Sequence, residues 1–375
     1  VWSEQRAAML MRLLSLKYVE DLRTLGFCCI FFGVCALQYA IDTHEIGERF
    51  GFFLLTSLLA FSGAVTVHNA IHVPISRSRR VNEVFQIVLS LWYGHTASAY
   101  VPGHNLSHHR NLQTRRDIMS TYKMRYRSNF LNGFLFAPTI MVATGKNDSN
   151  YFAAQARLGR PIYRQMQTEM LVFVVFQMIL ASIDARRWLY VFFLPQLIGK
   201  YMIISMNTLQ HDGCDEHSKY NHSRNFVDSW LNYFAFNNGY HGIHHMYPGK
   251  HWAVTKMEHY QRVHPHIHPN LEHPSLLAYL FEAFVYPGKR VAYDGGKYDL
   301  PEHGPDEEWF YETSESYSDC VRQTPSYTLM KDGETKYSEA KQKDNAEDSR
   351  KRYTSKKSKS TVRTPRRRSV GRKTK

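Results

Sequence analysis

The chain has 375 residues, with 47 Lys and Arg against 33 Asp and Glu and a formal net charge of +14 at pH 7. Its five cysteines form no framework, which excludes a disulfide-stapled secreted domain and suits unpaired thiols in a reducing cytosol. A mean hydropathy of −0.42 suggests a soluble protein, but the average hides long uncharged runs.

Two such runs come first. Residues 25–41 (LGFCCIFFGVCALQYAI) and 51–67 (GFFLLTSLLAFSGAVTV) carry no charge, and each is near the roughly 17-residue lower limit for a bilayer span. The link between them, DTHEIGERF, holds three acids and one arginine. The second run leads into VHNAIH, which supplies His68 and His72. A long basic segment follows, with Arg77, Arg79, Arg80, Arg110, Arg115, Arg116, Lys123 and Arg125. Within it, GHNLSHHRN contributes His104, His108 and His109. Residues 84–101 and 130–144 are apolar enough to lie along a membrane surface. A second pair of apolar runs spans 170–183 and 188–206, the latter with Lys200 as its single charge. A buried core helix is the competing reading for such runs, and 170–183 is short enough to be one. Next come SMNTLQHDGC, with Asn207 and His211 one helical turn apart, and NNGYHGIHHMYPGKHW, with His241, His244 and His245.

Spacing of i, i+3 or i+4 sets imidazoles one turn apart on one helix face. One such pair is weak evidence, but three boxes, two ending in a His-His doublet, point to metal. A structural zinc site closes with four ligands, usually including cysteine. Eight box histidines with no adjacent cysteine suit two ions sharing one site. Imidazole accepts iron, zinc or copper, so spacing leaves the element open. None of the boxes holds a carboxylate, unlike the soluble di-iron bundles. The basic segment between the two hairpins and the basic start (Arg6, Arg12, Lys17, Arg23) orient the chain by the positive-inside rule, with both ends cytoplasmic. All three boxes then fall on one membrane face.

The order HNAIH, HNLSHH and HGIHH, separated by paired apolar runs, resembles the membrane fatty acid desaturases and their hydroxylase relatives. FNNGYHGIHHMYPGKHW looks particularly like the third box of that family. The first box has its histidines four apart, as in some branches of the family, so the substrate branch stays open. The resemblance implies a mainly α fold: an integral membrane protein with about four transmembrane helices in two hairpins and a cytosolic helical cap carrying the boxes. It implies two iron ions held by histidines, activating O2 with electrons from a separate donor, a b-type cytochrome or a ferredoxin with its reductase. The substrate would be a lipid or fatty acyl chain, given a double bond or, alternatively, a hydroxyl. The resemblance also extends to SMNTLQHDGC, where it implies that His211 is a ninth ligand and that Asn207 reaches one iron through water. The competing reading of His211 is a helix-end histidine satisfied by Asp212. The expected location is the endoplasmic reticulum of a eukaryote or the inner membrane of a bacterium, with the site on the cytosolic face.

Other residues fit lesser roles. Trp92, Tyr93, Tyr100, Phe234 and Phe236 could line an acyl tunnel or simply pack. His95 reads as packed or as supporting a ligand, and His217, His222 and His251 as supporting or surface groups. The run VHPHIHPNLEHP (263–274) alternates His with Pro and reads as a loop. We place the desaturase-like domain at 1–299 and a disordered charged tail at 300–375. The last 25 residues hold twelve basic side chains and no acid, a composition that resists folding and suits anionic lipid head groups. Nucleic-acid binding is possible by charge alone, but no aromatic cluster or folded module there supports it. Arg-Arg-Arg-Ser, ending at Ser369, would be a phosphorylation site that weakens membrane attraction. No secretory signal is evident in these 375 residues, which begin at Val1, and they contain no haem-binding His-Pro-Gly-Gly motif. A metal transporter or sensor, a non-enzymatic alternative, would carry ionisable ligands at mid-membrane depth, where these runs have no histidine.

Overall fold

The computed structural model describes residues 9, 11–41, 46–298, 300–301 and 304–305. The basic tail, Cys320, Ser369 and Arg6 lie outside the described residues. The chain is mainly helical, and four helices are long and apolar enough to cross a membrane: Asp21–Ala40, Glu48–His72, Pro161–Ile183 and Ala185–His211.

Each of the four apolar runs falls in one of these helices, apart from Ile41 at the end of the first. The first, α1 (Asp21–Ala40), and the second, α2 (Ile46–His72), are followed by α3 (Arg79–Tyr93). Ser78 caps α3, its hydroxyl accepting from the Val81 N–H, and Gly94 ends the helix at φ 78, a left-handed closure. A π-wound segment, Val101–His108, continues into His109–Asn111. Then come α4 (Asn129–Arg157), α5 (Pro161–Ile183) and, after a π turn at Trp188–Phe193, α6 (Leu194–His211). Two short helices, α7 (His241–Met246) and α8 (Thr255–Arg262), follow. The strands among the described residues are a two-residue parallel pair, β1 (Asn225–Phe226) with β2 (Glu272–His273).

The run 170–183 is not a core helix. It is the latter part of α5, and Leu171, Val174, Val175, Met178, Ile179 and Ile183 are all exposed. That much bare aliphatic surface on one helix belongs against lipid. α2 is the opposite case, its middle lined with fully buried side chains such as Phe61, Ala64 and Val65. It packs closely on α6, where a Cβ at Gly199 would lie 2.7 Å from the Ala60 carbonyl carbon. Small residues that let backbones approach are how membrane helices associate. On another side of α2, the Trp92 indole lies against Gly63 and donates from Nε1 to the Leu59 carbonyl at 2.9 Å. Trp92 is therefore a core residue that joins α3 to α2.

Candidate metal centre

α2 ends at His72 and α6 ends at His211, so packing the two helices brings the first box and the SMNTLQH segment to one end of the bundle. The second box arrives on the π-wound segment. There the His109 N–H bonds to the His104 carbonyl, an i to i+5 repeat instead of the i to i+4 of an α-helix. That winding overturns one expectation from spacing. His104 and His108 do not join one group, although their ring centroids are 5.5 Å apart; His104 lies against His109, with Nε2 atoms 3.0 Å apart, and His108 joins other histidines.

The third box is held from several directions. Phe236 and Asn237 both have positive φ, 43 and 60, in the turn that precedes it. Such a conformation is uncommon for Phe and clusters at functional sites. Asn225 accepts from the Gly242 N–H at 2.8 Å, and Asn232 from the Gly239 N–H at 3.0 Å. The Gln210 amide on α6 donates to the Asn238 carbonyl at 2.9 Å. α7 thereby sets His241 and His245 together, one α-helical turn apart, with His244 on another side.

The nine histidines fall into two groups. His68, His72, His104, His109 and His244 form one; His108, His211, His241 and His245 form the other, and in each the ligand atoms lie within 4.8 Å of one another. The groups adjoin, since the rings of His109 and His245 stack with centroids 4.2 Å apart. In the second group the Nε2 atoms of His211, His241 and His245 form a triangle with edges of 3.0, 3.1 and 3.1 Å. Hydrogen bonds cannot fill that triangle. The His211 Nδ1–H donates to the His222 carbonyl at 3.1 Å, so its Nε2 is a bare lone pair. The other two neutral rings bring at most one proton each to three edges. Nitrogens about 2.1 Å from a common ion and 3.0 Å apart would subtend about 90°, so the triangle fits a coordination shell.

Proton placement on other rings fits too. Asp117 Oδ2 lies 3.0 Å from His108 Nδ1, and Asn69 Oδ1 lies 3.1 Å from His68 Nδ1. Each partner holds the ring proton on Nδ1 and turns the Nε2 lone pair inward. The Nε2 atoms of His68, His72 and His108 are buried with no hydrogen-bond partner. Asp117 is itself braced by the Gln113 and Met119 N–H groups at 2.9 and 2.8 Å. Burial, reinforced by repulsion from neighbouring imidazoles, pushes His104, His109, His241, His244 and His245 well below the ordinary histidine range. Neutral imidazole is the form that binds metal. The residues present fit a pair of metal ions.

Asn207 is buried one turn before His211, and its amide donates to the Met119 carbonyl at 2.9 Å. Asp212 does not serve His211. It takes Arg290 in a bidentate pair at 2.8 and 2.5 Å and the Tyr298 hydroxyl at 3.0 Å. His222 and His251 are buried, and His217 is exposed beside Glu216. His95 is exposed and outside both groups. In the His-Pro run, His264 joins His259 on Glu272, with a contact of 2.8 Å to each, tying α8 to β2. Of the five aromatics read as tunnel lining, Tyr100 lies nearest the groups, its ring 5.1 Å from His104 and 6.1 Å from His68. Asp117 and the His222 carbonyl had no signal in the sequence, because each meets its histidine through a loop of unremarkable composition.

Residues 49–281, which include all nine histidines, match the family model described as Fatty acid desaturase. No curated protein matches the chain significantly.

Proposed function

Because the chain belongs to the fatty acid desaturase family, we propose that it is a membrane-bound di-iron oxidoreductase that introduces a double bond into a fatty acyl chain. O2 is the oxidant, and electrons come from a separate carrier, a b-type cytochrome or a ferredoxin with its reductase. The observation that carries this reading is the division of nine histidines, eight buried and His72 half-buried, into adjoining groups of five and four. His68, His72, His104, His109 and His244 would hold one iron, and His108, His211, His241 and His245 the other. The bound pair supplies the oxidation of an aliphatic C–H bond, which no side-chain acid or base can perform.

The protein's own contribution is orientation and dryness. Asp117, Asn69 and the His222 carbonyl fix three rings in the ligating tautomer. Asn207, with its N–H committed to Met119, has its amide oxygen left to offer a water beside the second group. Burial of eight of the nine rings limits the access of solvent to the oxidising centre. The apolar face of α5 would keep the enzyme among its substrates, and the basic segment between the hairpins supports a cytosolic position for the centre by the positive-inside rule.

Expression in a host with a simple lipid profile, followed by mass spectrometry of its fatty acids, tests the reading. A desaturase yields acyl chains lighter by two hydrogens. Chains heavier by one oxygen would assign the hydroxylase chemistry instead, and an unchanged profile with bound iron and an electron donor present would refute both.

A further inference from the structure

We propose that Asp21 carries protons to the metal centre from a narrow polar cleft, with His251 as its positioning residue. This rests on the reading above, in which O2 is reduced beside the histidine groups. The cleft has a volume of about 20 Å³, room for a water molecule but not for an alkyl chain. His68, His72 and His244 of the five-histidine group line it, together with Asp21, Lys250 and His251. Most of its remaining wall consists of hydroxyl, amide and small apolar side chains.

Asp21 is 1% exposed. Its Oδ1 faces three donors: His251 Nε2 at 3.1 Å, Trp252 Nε1 at 3.3 Å and the Thr24 hydroxyl at 3.4 Å. Its Oδ2 is buried and has no hydrogen-bond partner. The Ala253 N–H donates to His251 Nδ1 at 3.3 Å, so the His251 proton sits on Nε2, facing Asp21. Tyr18 stacks on the His251 ring at 4.0 Å and holds it there. One carboxylate oxygen is thus engaged and fixed, while the other has no partner, on a residue that lines a cleft shared with three metal-site histidines. A buried polar atom without a partner calls for an explanation. Proton transfer supplies one.

The balance of the reaction requires it. Desaturation combines O2, two electrons, two protons and a –CH2–CH2– unit, giving –CH=CH– and two water molecules. The two electrons come from the carrier, and the two protons must come from solvent. Ligating imidazoles have no lone pair left to relay them, and an apolar acyl passage conducts none. A hydronium reaching the cleft from solvent gives a proton to Oδ2, breaking one of its O–H bonds, forming a carboxyl O–H and leaving a neutral water. The carboxyl then returns the proton to a water on the histidine side.

The test compares the full-length, iron-loaded protein with Asp21→Asn and Asp21→Glu. Asp21→Asn should keep its iron and form product about 10²-fold more slowly, the usual worth of a positioned acid–base group. Electrons missing from product should appear as hydrogen peroxide, and formate, a small weak acid, should restore the rate. Asp21→Glu should retain most activity, with a larger solvent deuterium isotope effect than wild type. Normal turnover in Asp21→Asn, loss of its iron, or slow turnover that formate does not relieve would overturn the proposal. If Asp21→Asn fails to fold, an isotope effect in Asp21→Glu equal to that of wild type overturns it. A wild type that holds iron but consumes no O2 overturns the underlying function, and this is seen before any variant is compared.

Discussion

His211 and Asp117 show most clearly how single residues shape the site. His211 completes a triangle of nitrogens 3.0–3.1 Å apart, so no neighbour can replace its lone pair. His211→Ala should lower bound iron and turnover as severely as His244→Ala, whereas the exposed His217→Ala should leave both near wild type. Metal analysis of the purified variants alongside product formation checks this, and a His211→Ala protein with full iron would remove His211 from the ligand set. Asp117 acts one shell out, through His108. Asp117→Asn keeps the shape but loses the charge that favours the Nδ1–H tautomer, so metal affinity should fall roughly 10–100-fold. Competition with a chelator measures that fall.

At the scale of elements, the site depends on how closely α2 and α6 approach, since each ends in ligands. A Cβ at Gly199 would meet Ala60 and Phe61 backbone atoms at 2.7–2.9 Å, and backbone cannot swing aside. Gly199→Ala should therefore cost about 1–3 kcal/mol by overpacking, read as a lower melting temperature in detergent. Iron occupancy should fall with it, because His72 and His211 would move apart. α5 makes a separate point. Glu169, fully buried on that helix, accepts from the Ser98 N–H at 2.9 Å and hydroxyl at 2.8 Å, pinning the turn that leads into the π-wound box. α5 thus presents aliphatic side chains outward and one carboxylate inward.

For the whole molecule, the expectation is a membrane enzyme whose catalytic body ends before the basic tail. Val175 is 47% exposed on α5. Val175→Lys there should disfavour insertion by roughly 2.5–3.5 kcal/mol on the helix-centre scale, and the protein should become less abundant in the membrane fraction. Deleting 351–375, by contrast, should leave iron content and turnover intact while weakening binding to anionic vesicles, which co-sedimentation measures. Loss of iron on that deletion would move the domain boundary.

Much was legible in the sequence because two signals are local. Hydropathy marks the four long helices, since a run either can or cannot pay the cost of leaving water. Histidine spacing marks the boxes, since three recurrences of imidazoles one turn apart are a rare coincidence without a metal to bind. Three things depended on the tertiary structure. Which histidines group together was decided by the π winding of Val101–His108, a backbone register that residue identity does not encode. Whether the short apolar run of 170–183 faced core or lipid was decided by what packs on α5, which lies along α3 on one side and leaves six aliphatic side chains of that run bare. That Asp117 meets His108, the His222 carbonyl meets His211 and Asp21 meets His251 was decided by contacts 9, 11 and 230 residues apart in the chain. Residue types set which groups can bind metal, but only the folded chain sets which lone pairs converge.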